Sequence, residues 1–183
     1  ISSSQNSLVK KILLLQTKSK ARKTQGEFVI EGCREIDLAI QGGYHISQLL
    51  WCEELLPEKE FKKIEAKIKC VVVTVTKDIY EKISHRKSTE GLIALAAGKE
   101  PFLSDIILSK NPLILVAEAP EKPGNLGALL RTADAANVDA VLIANPITDL
   151  YNPNIIRSSV GCIFTNQIVL GSNQEILSFL KTN

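Results

Sequence analysis

The chain is 183 residues long, 45% hydrophobic and 23% charged, with a formal net charge of +2. That length suits one sizeable domain or two small ones; no apolar run approaches the ~20 residues of a membrane helix, and no signal-peptide pattern opens the chain. Four scattered cysteines (Cys33, Cys52, Cys70, Cys162), no Cys-x-x-Cys pair and only two histidines (His45, His85) speak against a disulfide framework and a zinc site, and read as reduced, mostly buried thiols of a cytoplasmic protein.

The first 26 residues carry Lys10, Lys11, Lys18, Lys20, Arg22 and Lys23 and no acid, while the rest of the chain is slightly acidic. A basic arm on a near-neutral body is one form that a nucleic-acid contact takes; a solvated helix face is the other reading. Leu8, Ile12 and Leu15 recur at helical spacing, which predicts a helix from residue 6 to about 20. Next come a strand at 28–32 (FVIEG), a helix through REIDLAIQ ending at Gly42-Gly43, and a strand at 46–52. A helix opened by Pro57 over 57–68, a strand at 70–75 and a helix capped by Thr76 follow, and GLIALAA (91–97) is a strand.

This alternation predicts an α/β unit with a mainly parallel sheet, closing near residue 98. GKEPFLSDIILSKNP (98–112) reads as a linker with a short helix, and the rhythm restarts at Leu113. LILVAEA is a strand expected at the sheet centre, GNLGALLRTADAAN a helix and DAVLIAN a strand; residues 152–161 form a helix, IVL a strand and NQEILSFLK a last helix. The chain contains no methionine, so its natural start is expected upstream.

The stretch PGNLGALLRTADAANV (123–138) carries the chemistry. Pro120 to Gly124 leads the chain out at the carboxyl end of a strand, the rim where open α/β sheets bind ligands. Asn125 lies at the helix mouth, placed to cap the first turn or to hold a ligand. Leu126, Leu129, Leu130, Ala133 and Ala136 are expected to face the sheet. Arg131 shares a stripe with Gly127 and Asp134; the glycine leaves a gap for its side chain to cross towards the rim, or the arginine pairs with Asp134 at the surface. A dinucleotide site lacks its three-glycine fingerprint and its acid, position 145 being Asn. There is no P-loop.

Asn125-x-Gly127-x-x-x-Arg131-Thr132-Ala133, directly after a strand ending in Glu118-Ala119-Pro120, resembles the first motif of the SpoU (TrmH) RNA ribose 2′-O-methyltransferases, members of the knotted SPOUT superfamily. NPNIIRSSVGC (152–162) resembles the family's Arg-x-Ser-x-Gly helix, and GEFVIEGCREIDLAIQGG and STEGLIALA resemble its substrate-binding domain. The resemblance implies a basic N-terminal helix or arm (1–26), a ribosomal-protein-like RNA-binding domain (27–98), a linker (99–112) and a knotted, Rossmann-like methyltransferase domain (113–183). The family's later Gly-Ser-Glu-type loop and closing Ser-x-Asn segment are not in this sequence, so the second domain reads as truncated and the cofactor-binding loops are expected beyond Asn183.

The implied reaction moves a methyl group from S-adenosylmethionine to a ribose 2′-hydroxyl of RNA, ribosomal RNA ahead of transfer RNA. Arg131 and Asn125 are the implied catalytic residues. A guanidinium keeps its proton, so orientation and charge stabilisation are the expected roles of Arg131, with Asn125 orienting it or the ribose. Lys10, Lys11, Lys18, Lys20, Arg22, Lys23, Arg34, Arg86, Lys87 and Arg157 are candidate RNA contacts. Arg157 and Ser159 are placed either to line the same rim or to serve in helix capping or at an interface, and Glu31 to accept backbone amides or a lysine. No metal or membrane is implied, and a homodimer through the methyltransferase domain is. The competing readings are a non-catalytic RNA-binding protein and a Rossmann-like nucleotide-binding enzyme.

Overall fold

A computed structural model describes residues 1–85 and 90–183. The chain forms two compact units, Ile1–Gly98 and Lys99–Asn183. The first opens with α1 (Ser7–Thr17), whose N-terminus is capped by the Asn6 side chain accepting from the Leu8 N–H at 2.9 Å. The single helix expected over 6–20 breaks at the extended Lys18, and α2 (Ser19–Gln25) follows. Thr17 donates its hydroxyl back to the Leu13 carbonyl at 2.8 Å, a local bond that competes with helix continuation.

Residues 1–26 are not a detached arm. Val9, Ile12 and Leu15 of α1 are fully buried in one cluster with Ile79, Tyr80 and Ile83, and each such side chain contributes about 1.5–3 kcal/mol on burial. Arg22 is also buried, donating to the Leu15 carbonyl at 2.5 Å and the Gln16 carbonyl at 3.4 Å. These are carbonyls that the end of α1 leaves without amide partners. The RNA contact expected of Arg22 is therefore corrected to a helix cap.

The unit continues with β1 (Glu27–Glu31), α3 (Cys33–Gln41), β2 (Ile46–Trp51), α4 (Glu58–Glu65), β3 (Val71–Thr74), α5 (Lys77–Ile83) and β4 (Leu92–Ala97). The elements alternate as expected, but the sheet is mixed rather than mainly parallel. Its order is β1-β4-β2-β3, and β4 runs antiparallel to both β1 and β2, leaving only β2 and β3 parallel. Leu92 to Ala96 are all buried, so β4 takes a central place with both faces covered. Val29, Leu50, Ile93 and Leu95 pack towards α1 and α5. Strand alternation turns Phe28, Leu49 and Trp51 the other way, where Trp51 stacks on Phe61 of α4 at 4.3 Å between ring centroids. Gly91 leads into β4 at φ +77, and a Cβ there would meet the Leu56 backbone nitrogen at 2.7 Å, so only glycine suits the position.

In the second unit a 3₁₀ turn (Leu103–Asp105) precedes β5 (Ile114–Glu118), α6 (Pro123–Ala135), β6 (Ala140–Ala144), α7 (Pro153–Ser158), β7 (Ile168–Gly171) and α8 (Asn173–Thr182). Its three strands are parallel in the order β5-β6-β7. Among the described residues β5 thus lies at the sheet edge and β6 at the centre, the reverse of the central place expected for LILVAEA. The burial pattern agrees, because all of β6 is buried while Val116 of β5 is 45% exposed. On one face Ala140, Leu142, Ala144 and Val169 pack with Ile176 and Phe179 of α8. Residues 107–113 are fastened to this unit by Gln167, which binds both backbone groups of Ile107, and by Asp139, which accepts from Ser109 and Leu113.

Candidate active site

The carboxyl ends of β5 and β6 make the same unusual turn. Ala119 and Asn145 each follow the last residue of their strand with positive φ, 45° and 46°, and each is followed by a proline. Their N–H groups still extend the ladder, Ala119 to the Ala144 carbonyl and Asn145 to the Gly171 carbonyl, both at 2.8 Å. The left-handed region costs a non-glycine residue roughly 1–2 kcal/mol, and strain of this kind collects at functional rims. Asn173, opening α8, ties the rim together. Its side chain donates to Glu118 at 3.1 Å and its N–H to the Asn145 side chain at 3.3 Å.

From this rim Pro123 starts α6 at the first helical position, with Lys122 as an N-cap that makes no side-chain bond. Asn125 therefore lies inside the first turn and does not cap it. Its side chain is exposed and has no hydrogen-bond partner among the described residues. Leu126, Leu130 and Ala133 are buried, while Leu129 is half-buried and Ala136 exposed, so the apolar stripe is narrower than the sequence suggests.

Arg131 projects from the opposite stripe. It is exposed, and its guanidinium has no hydrogen-bond or ion-pair partner among the described residues. The surface pair with Asp134 does not form, because Asp134 accepts the Thr165 hydroxyl instead. Nor does Gly127 leave a gap for the arginine. Gly127 is buried, and a Cβ there would run into the Ser158 hydroxyl and lie 2.7 Å from the Ser159 nitrogen. The glycine is needed for close packing of α6 on α7.

Arg157, in the last turn of α7, is exposed. Ser159 is fully buried and donates to the Ile156 carbonyl at 3.0 Å, so it caps α7 rather than lining the rim. Lys10, Lys18, Lys20, Lys23 and Arg34 are exposed on the first unit, and Lys11 pairs with Glu27. Arg86 and Lys87 lie outside the described residues. Glu31 accepts the His85 N–H at 2.7 Å, the backbone-binding role expected of it. None of the four cysteines forms a disulfide among the described residues; Cys52 is buried and the others half-buried. No helix among the described residues is long and apolar enough to cross a membrane.

A shallow recess of about 170 Å³ opens beside the rim, lined by Pro120, Leu126, Ile143, Pro146, Thr148, Leu150 and Leu170. Thr148 is the one polar side chain of this lining. Sequence reasoning passed over Asn145, Ser158 and Asn173. Asn145-Pro146 is legible as a turn signal, whereas the other two depend on contacts between distant elements.

Two family models match the chain, the MRM3-like substrate-binding domain over residues 6–94 and the SpoU rRNA methylase family over residues 112–183. The crystal structure of an RNA 2′-O ribose methyltransferase superposes with a TM-score of 0.82 at 40% identity, covering 100% of this chain and 69% of that one. The 23S rRNA (guanosine(2553)-2′-O)-methyltransferase RlmP of Bacillus subtilis is 28% identical over 181 residues, 99% of this chain and 68% of that protein. The 23S rRNA (uridine(2479)-2′-O)-methyltransferase of Streptomyces viridochromogenes is 25% identical over 92% of this chain, which spans 59% of its length.

Proposed function

The chain belongs to the SpoU family of RNA methylases, and we propose that it forms the RNA-binding and acceptor-activating part of an enzyme that methylates a ribose 2′-hydroxyl of ribosomal RNA. S-adenosylmethionine supplies an electrophilic methyl group when bound. The observation that supports the reading is Arg131, an exposed cation without a partner among the described residues, on a helix whose Leu126, Gly127, Leu130 and Ala133 are buried and whose Gly127 packs on α7.

A ribose hydroxyl is a weak nucleophile, so alignment and local positive charge govern its reactivity. Arg131 offers a planar fork of donors that matches the phosphate beside the target ribose. Asn125, exposed in the first turn, has an amide free to orient the ribose or the guanidinium. The first unit holds the RNA through Lys10, Lys18, Lys20, Lys23 and Arg34, whose scattered placement suits recognition of shape and single-stranded loops. The protein works in the cytoplasm as a homodimer through its methyltransferase units.

The test is methyl transfer by the full-length protein. Labelled S-adenosylmethionine and unmodified ribosomal RNA are incubated with it, and the RNA is hydrolysed in alkali. A 2′-O-methyl blocks cleavage at its own phosphodiester, so label in an alkali-resistant dinucleotide is the expected result. RNA binding without any transfer to ribosomal or transfer RNA would leave a binding protein.

A further inference from the structure

We propose that Ser158 is a positioning residue that fixes the first turn of α6, and with it Asn125 and Arg131, against α7. Its consequence for turnover rests on the functional reading above; its effect on the turn does not. The Ser158 hydroxyl lies 3.3 Å from the Pro123 carbonyl of α6 and 3.4 Å from the Ile155 carbonyl of α7. One proton is thus shared between acceptors on two helices. Among the described residues it is the only side chain hydrogen-bonded to the first turn of α6, which has no N-cap bond of its own.

Packing reinforces the bridge. Gly127 lets the Ser158 side chain sit against the α6 backbone, since a Cβ at Gly127 would lie 2.7 Å from the Ser158 Cβ. The distance between the helices is therefore set where Gly127 meets Ser158, and the orientation of the turn by the hydroxyl. Asn125 lies midway between Pro123 and Gly127, and Arg131 one turn beyond Gly127. A turn free to slide along α7 carries both polar groups away from the ribose, and small misplacements are costly to aligned reactions.

Ser158→Ala in the full-length protein removes the hydroxyl and keeps the Cβ that packs on Gly127. Hydrogen exchange of the peptide spanning 120–130 reports the turn, and steady-state methyl transfer reports its consequence. We expect exchange there to quicken about threefold to tenfold, as loss of one ordinary hydrogen bond implies. Turnover number should fall by about the same factor, with KM for RNA changed less than about twofold, as for an interaction felt only in the transition state. Should the variant loosen β5, β6 and β7 as well, Ser158→Cys, nearly isosteric and a weaker donor, takes its place in the same two measurements.

Unchanged exchange overturns the proposal, and so does faster exchange with an unchanged turnover number. A wild-type protein without methyl transfer sinks the functional reading instead, while exchange alone still decides whether Ser158 holds the turn.

Discussion

Arg22 donates to the carbonyl of Leu15 at 2.5 Å, so a cation from the most basic stretch of the chain is spent on the end of α1. Truncation leaves that buried carbonyl unsatisfied and opens a gap beside Leu15. Arg22→Ala is expected to lower stability by about 1.5–3 kcal/mol, the range for a hydrogen bond from a charged group. Urea unfolding should show this as a lower midpoint at an unchanged slope.

Its neighbours Lys18, Lys20 and Lys23 are exposed and should behave in the opposite way. Surface truncations far from buried features change stability by no more than about 0.5 kcal/mol each. A triple alanine variant should melt like the wild type while RNA affinity falls. For every phosphate left without its lysine, the slope of log K against log salt should also become shallower by about 0.7–0.9. An unchanged slope would return these lysines to plain solvation.

The contrast between Arg22 and these lysines marks how far the sequence could be read. Hydrophobic spacing located nearly every helix and strand, because burial of Ile12 or Leu142 imposes a period on the sequence. Strand direction left no such trace, since a helix between two strands is compatible with the antiparallel β4 and the parallel β3 alike. The edge position of β5 was hidden for a similar reason: Val116 reads as apolar whether or not a neighbour covers it. Within the site, Asn125 and Arg131 stood out as polar groups in an apolar frame. Ser158 and Asn173 resemble any other small polar residue until the fold brings them to Pro123 and Glu118.

Two glycines of α6 should respond differently to the same substitution. A Cβ at Gly124 meets nothing within 4 Å, whereas at Gly127 it collides with Ser158. Gly127→Ala is expected to cost about 1–3 kcal/mol, as overpacked positions do, and to push α6 away from α7. Gly124→Ala should be neutral or stabilising by up to about 1 kcal/mol through helix propensity. Thermal midpoints of the two variants, compared directly, check both statements.

Arg131→Ala tests the site without disturbing the fold. The side chain is exposed and takes part in no pairing among the described residues, so stability should change by less than about 0.5 kcal/mol. Methyl transfer should drop at least about 100-fold, the scale seen when one preorganised charge-stabilising donor is removed. Arg131→Lys keeps the charge and loses the fork, so it should recover only part of the rate. Substantial turnover in the alanine variant would release Arg131 from the reaction.

Acid should loosen the segment before β5 before it unfolds the second unit. The Asp139 carboxylate accepts the N–H groups of Ser109 at 2.8 Å and Leu113 at 2.9 Å. These bonds, Leu113 first, hold its pKa below the ordinary 3.8. A carboxyl whose folded pKa is depressed adds stability that is fully present above its unfolded value and is lost as pH falls through the folded one. Residues 107–113 should therefore stay protected at neutral pH and down to about pH 5, then exchange faster as pH drops below 3.8. Asp139→Asn, which cannot ionise, should remove that pH dependence and raise exchange of the Ser109 and Leu113 amides at pH 7. Pepsin-fragment hydrogen exchange across the acid range separates the two effects, and a variant that retains the wild-type pH profile would show that Asp139 is not what fastens the segment.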